Sequence, residues 1–159
     1  GDELVTTVER ILAASRAEPW PVATPPPAAA AAAASAAAQR TRELLFELTT
    51  LPGFRYALLL SPARQVLAAA GELTPADADL AAEPLARWLT AAAGAAAELE
   101  LGEPGAAVLE TGAGTLLARR IDARATLVLV LSSSAALGKA RFYLARLQRA
   151  LLETWRERD

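Results

Sequence analysis

The chain has 159 residues, enough for one domain with a sizeable core but short for two, since a chain of this length buries about 70% of its unfolded surface. Its 16 basic and 18 acidic residues leave a formal net charge of -2, without the cationic excess that nucleic-acid phosphates demand, so nucleic acid is not an expected partner. Cysteine and histidine are both absent, which excludes zinc and iron–sulfur sites, disulfides, cysteine nucleophiles and histidine-based triads.

Residues 1–16 read as a short amphipathic helix, with Leu4, Val5, Val8, Ile11 and Leu12 on one face and Asp2, Glu3, Glu9 and Arg10 on the other. A helix this short is marginal alone, so Leu4, Val8, Ile11 and Leu12 are expected to dock on the domain, on a neighbouring subunit or on a partner. Residues 17–29 form a linker rich in proline and alanine, stiffened by Pro21 and Pro25-Pro26-Pro27. The main domain is assigned to residues 30–159.

That domain opens with a helix over about residues 30–50. Its first half is almost pure alanine, the best helix former, and Leu44, Leu45, Leu48 and Leu51 carry it to Pro52-Gly53. Phe54 to Leu60 and Gln65 to Ala70 read as a β-hairpin turning at Ser61-Pro62-Ala63-Arg64. Thr74 then caps a helical start with Pro75 at its first position. Because Pro84 lies too deep for one unbroken helix, the sequence predicts a short turn at 75–82 and a main helix from Pro84. There Leu85, Trp88, Leu89, Ala92, Ala96 and Leu99 line up at three- and four-residue steps. Three short strands follow, Ala106 to Glu110, Thr115 to Ile121 and Thr126 to Ser132, joined by turns short enough for antiparallel hairpins. Thr126 to Leu131 is apolar on both faces, which marks the central strand. A final helix capped by Ser133 or Ser134 carries Leu137, Leu144, Leu147, Leu151 and Trp155 as its apolar stripe. The expected fold is therefore α/β, a five-stranded antiparallel sheet with helices on both faces.

Chemical motifs are weak. Gly112-Ala113-Gly114 sits between strands, whereas a phosphate loop opens a helix, and a hairpin turn is the plainer reading. In Leu137-Gly138-Lys139-Ala140 the earlier glycine and the magnesium-binding hydroxyl of a nucleotide site are missing. Ser132 to Ser134 beside Lys139 suit a helix N-terminus better than a nucleophile, and no oxyanion hole is signalled. Asp77 and Asp79 lie in a capping region, and Glu98, Glu100 and Glu103 at a helix end; solvated surface accounts for all five. Of Arg119 and Arg120, alternation places one toward solvent and one beneath a helix. No catalytic residue, metal or cofactor is expected.

The middle helix is different. Ala91 to Ala97, interrupted only by Gly94, lets a second backbone approach closely, and Trp88 reads either as core or as an interface anchor. The strand from Ala106, with Val108, lies between turns as an open edge that a second copy can pair with.

On Phe54 to Ala68, Pro84 to Gly102, and Thr126 to Ser132 followed by Ala136-Leu137-Gly138-Lys139, the chain resembles the roadblock (dynein light-chain-like) domain family over about residues 40–155. The resemblance implies a homodimer in which middle helices pair and edge strands join. It also implies binding of a Ras-like small GTPase, whose nucleotide state the dimer modulates without supplying a catalytic residue. The expected interface is Leu85, Trp88, Leu89, Ala92, Ala96, Ala106 and Val108. The N-terminal helix with its linker and the segment Thr74 to Glu83 depart from the family pattern. A small-molecule-sensing or general protein-interaction α/β module is the alternative.

The hydrophobic fraction of 53% is largely alanine, and no run of about 18 strongly apolar residues is present to span a membrane. An acidic start without an apolar core is unlike a secretory signal, so a cytoplasmic location is expected. The start at Gly1 in a chain without methionine suggests that residues precede it.

Overall fold

The computed structural model describes residues 28–158, so the predicted amphipathic helix with Leu4, Val8, Ile11 and Leu12 lies outside the described residues. The chain divides into two compact units, residues 1–34 and 35–159. Of the first, the described part is the alanine run 28–34, which forms the opening turns of helix α1.

Helix α1 runs Ala28–Phe46 and tightens into a 3-10 turn at Glu47–Thr50 before Pro52-Gly53 ends it. Strands β1 (Phe54–Leu60) and β2 (Val66–Gly71) follow, then helix α2 (Pro75–Glu98), strands β3 (Ala106–Thr111), β4 (Gly114–Asp122) and β5 (Ala125–Leu131), and helix α3 (Leu137–Arg158). The sheet order is β2-β1-β5-β4-β3, every pair antiparallel. The strand read as central is indeed in the middle.

Period-two alternation divides the sheet into two apolar faces. Ala57, Leu59, Leu117, Leu127, Leu129 and Leu131 face one way and pack with Leu44 and Leu45 of α1, Leu48 of the 3-10 turn, and Leu144, Leu147 and Leu151 of α3. Leu58, Leu60, Ala118 and Val128 face the other way, under Ala78, Ala82 and Leu85 of α2. Each fully buried leucine contributes about 1.5–3 kcal/mol, and the first face, with more and larger side chains, is the heavier core. Trp155 closes that core at the far end of α3. Its Nε1 donates to Thr41 Oγ1 at 3.4 Å, and Thr41 Oγ1 donates to the Ala37 carbonyl at 2.8 Å.

Two sequence expectations are corrected. Pro84 does not divide α2, which is continuous from Pro75 to Glu98 with Pro84 inside it. The backbone bond lost at Pro84 is the one to the Leu80 carbonyl, and both residues are exposed, so water substitutes for the missing donor. On the opposite side Ala78, Ala82 and Leu85 hold both halves on the sheet. The segment Thr74 to Glu83 is thus the first part of α2, capped as expected by Thr74, whose side chain accepts from Asp77 N–H at 3.1 Å. Secondly, α3 starts at Leu137 and not directly after Ser133 or Ser134. Those serines form a preceding turn, in which Ser133 Oγ accepts from Ala135 N–H and the Ser134 carbonyl from Leu137 N–H.

Candidate interaction surface

The residues that read as nucleotide or catalytic motifs are absorbed by local structure. Gly112-Ala113 is the two-residue loop of the β3–β4 hairpin, where Thr111 pairs with Gly114 and Thr111 Oγ1 donates to the Gly114 carbonyl at 2.8 Å. Lys139 Nζ lies over the Tyr143 ring at 5.7 Å. Among the described residues, no group of three or more Asp or Glu side chains is placed to hold a metal ion. The two arginines of β4 divide as alternation requires. Arg119 reaches beneath α3 to Gln148, while Arg120, on the α2 face, pairs with Glu103.

What remains is a surface built from α2 and the β3 end of the sheet. Leu85 turns inward and is 6% exposed. One to three turns further on, Trp88, Leu89, Ala92 and Ala96 are half-buried, and Trp88 and Leu89 pack against the same apolar cluster as Ala107 and Leu116. Beside them β3 is an edge with no strand on its outer side among the described residues. Its ladder to β4 is regular from Ala106↔Arg119 to Thr111↔Gly114. The other edge, β2, shifts register opposite Leu59/Leu60. A regular edge lacking bulge and proline is the kind that accepts another strand.

Hairpin register decides which β3 side chains share a face with α2. The two-residue loop sets Leu109 opposite Leu116 and Ala107 opposite Ala118, so Ala107 and Leu109 lie on the α2 face. Ala106 and Val108, singled out in the sequence, stand on the α3 face, opposite Arg119 and Leu117. They belong to the same edge but not to the same side of the sheet as Trp88. The loop length was the sequence signal that points to Leu109.

Three grooves mark the domain surface, two of them along α2 or β3. One of about 390 Å³ lies between α2 and the sheet, with Leu60, Leu89, Ala107 and Ala118 among its walls and Arg120 and Glu103 at one end. A second of about 250 Å³ runs past Thr41, Leu67 and Trp155. A third of about 370 Å³ follows β3 between Val108 and Arg141. At the β4–β5 turn, burial alone would raise the Asp122 carboxyl. Its hydrogen bonds from the Arg124 side chain (2.9 Å) and the Arg124 N–H (2.7 Å) and the adjacent guanidinium charge outweigh this and hold it below the usual carboxylate value.

Comparison with known proteins decides the family. No protein-family model matches the chain, and no curated protein sequence does. Solved structures do match. The gliding protein MglB from Thermus thermophilus is 30% identical with a TM-score of 0.68, covering 77% of this chain and 93% of that one. The chain belongs to the roadblock family. An MglB with a tetrameric arrangement is 29% identical with a TM-score of 0.68, over 78% of this chain and 93% of that one. A Roadblock/LC7 domain from Streptomyces avermitilis shares the fold, with a TM-score of 0.63 at 19% identity over 72% of this chain and 93% of that one. This roadblock protein is thus similar to MglB.

Proposed function

We propose that this roadblock protein is a homodimeric, cytoplasmic regulator or scaffold that binds a Ras-like small GTPase of the MglA type and modulates its nucleotide state, contributing no catalytic residue. One observation carries the reading. A half-buried apolar row, Trp88, Leu89, Ala92 and Ala96, shares one face of the sheet with Leu109 and Leu116 next to the unpaired β3 edge. Strand addition at β3 would bring two such rows together around a twofold axis, the self-complementary arrangement of a symmetric dimer. The alanines keep the pairing close while Trp88 supplies the large contact area. The tetrameric arrangement of a similar MglB supports self-association. In the test, light scattering gives the oligomeric state, and mixing with the GTP-loaded GTPase gives co-elution and hydrolysis rate. A monomer, or a dimer with neither effect on the GTPase, rejects the reading.

The groove of about 390 Å³ favours a second reading as a small-molecule-sensing module. Its size falls within the range of ligand pockets, about 300–1,000 Å³. A metabolite retained through purification and released on unfolding would favour it over the first.

A further inference from the structure

We propose that the outer face of α3 is a peripheral docking surface for anionic membranes. α3 carries Lys139, Arg141, Arg146 and Arg149 with no acid before Glu153, although the whole chain has a net charge of -2. Helical spacing sets Phe142 between Lys139, Arg146 and Arg149, on the side opposite the buried Ala140, Leu144, Leu147 and Leu151. Phe142 is 65% exposed, a large aromatic raised into solvent at the centre of a cationic ring.

The cations are held in place on this face. Lys139 and Arg146 both stand over the Tyr143 ring, at 5.7 and 4.9 Å. Arg146 also pairs with Glu47 at 3.5 Å, whereas Arg141 and Arg149 have no ion-pair partner among the described residues. On the opposite face of the sheet, α2 carries Asp77, Asp79, Glu83 and Glu98 against Arg87 alone. Charge is therefore segregated across the sheet, and an anionic surface is attracted to α3 and repelled from α2.

The shape selects a lipid surface over a peptide or a nucleic-acid strand. Many peptides and single strands are bound in grooves, and of these α3 side chains only Arg141, to the side of Phe142, lines one of the three grooves described above, while Lys139, Phe142, Arg146 and Arg149 line none. A convex helix face with one protruding aromatic suits a soft, planar, negatively charged interface, where the ring enters the headgroup layer and the cations meet lipid phosphates. No described helix is long and apolar enough to cross a membrane, so the contact is peripheral. It leaves the α2–β3 surface free and does not depend on the GTPase reading.

The test is co-sedimentation of the full chain with phosphatidylcholine vesicles, with and without phosphatidylglycerol. Binding is expected to the phosphatidylglycerol vesicles alone and to fall as salt screens it. Each cation is worth about five-fold in partitioning, so Lys139→Glu with Arg149→Glu is expected to lower it at least about twenty-fold. Phe142→Ala removes an exposed ring without touching the core, and is expected to lower partitioning about five-fold. Circular dichroism checks that each variant is folded. Failure to sediment with phosphatidylglycerol vesicles at low salt, equal sedimentation with neutral vesicles, or undiminished binding of the folded double variant overturns the proposal. So does charge-dependent binding confined to an acidic protein or to RNA.

Discussion

Gln148 of α3 and Arg119 of β4 are bound to each other, Arg119 Nε donating to Gln148 Oε1 at 2.6 Å. The other half of the same carboxamide donates to the carbonyls of Arg120 at 2.9 Å and Ile121 at 3.2 Å. The β4–β5 ladder shifts register between Arg120 and Asp122, where an irregularity leaves backbone groups unpaired. One helix side chain thus completes the backbone of a strand. Gln148→Ala strands those carbonyls and the guanidinium, and is expected to cost about 1–3 kcal/mol. Urea unfolding measures it, and an unchanged midpoint would count against the role.

Pro84 in the middle of α2 forgoes one backbone hydrogen bond on the solvent side. Pro84→Ala restores that bond at an exposed position. Allowing for the looser unfolded chain, a gain of about 1–2 kcal/mol is expected, read as a higher thermal midpoint.

Two glycines are expected to respond in opposite directions to alanine. Gly71 sits at φ +113° where an added Cβ would lie 2.6 Å from the Arg55 carbonyl oxygen, so Gly71→Ala forces β2 away from β1 and costs at least about 1–3 kcal/mol. Gly94 lies in α2 with open space around it. There the same change adds about 0.5–1 kcal/mol of helix stability. Thermal unfolding of the two variants against the parent decides both.

Asp122 makes stability depend on acidity. Its folded value lies below the ordinary carboxylate value, since hydrogen bonding and charge from Arg124 outweigh burial. Its contribution is therefore complete above the unfolded-state value, about 3.9, and is lost as pH falls toward and through the folded value. Denaturant unfolding between neutral and strongly acidic pH is expected to show a steeper acid loss for the parent than for Asp122→Asn. Parallel curves would refute the assignment.

The two sheet edges are expected to differ in solution. Leu109 on β3 is 41% exposed and Leu67 on β2 52%, so lysine at either position spares the core. On the proposed dimer, Leu109→Lys places two like charges in the shared edge and is expected to weaken self-association at least about ten-fold. Leu67→Lys is expected to leave it unchanged. Sedimentation equilibrium compares them, and equal dissociation constants would remove β3 from the interface.

The linear chain carries its strands and helices openly, because period and punctuation are local properties. Thr126 to Leu131, apolar at every step, had to be buried on both faces and lies at the centre of the sheet. Gly112-Ala113 had to turn, and Leu144, Leu147 and Leu151 had to share a stripe. Local rules also misled. The proline rule broke α2 at Pro84, because it weighs the lost hydrogen bond but not the packing of Ala78, Ala82 and Leu85 that holds both halves down. Capping preference started α3 at the serines, whereas the chain makes a turn first.

Which surfaces lie together was a different matter. Composition alone already excluded thiolate and imidazole chemistry in this chain. Register and sheet order were needed to seat Leu109 beside Leu116 on the α2 face, to place β3 at the edge of the described sheet, to bring Gln148 onto β4 and to set the cations of α3 across the sheet from the acids of α2. Those relations join residues far apart in sequence. They arise only when burying both faces of β5 forces the helices onto opposite sides.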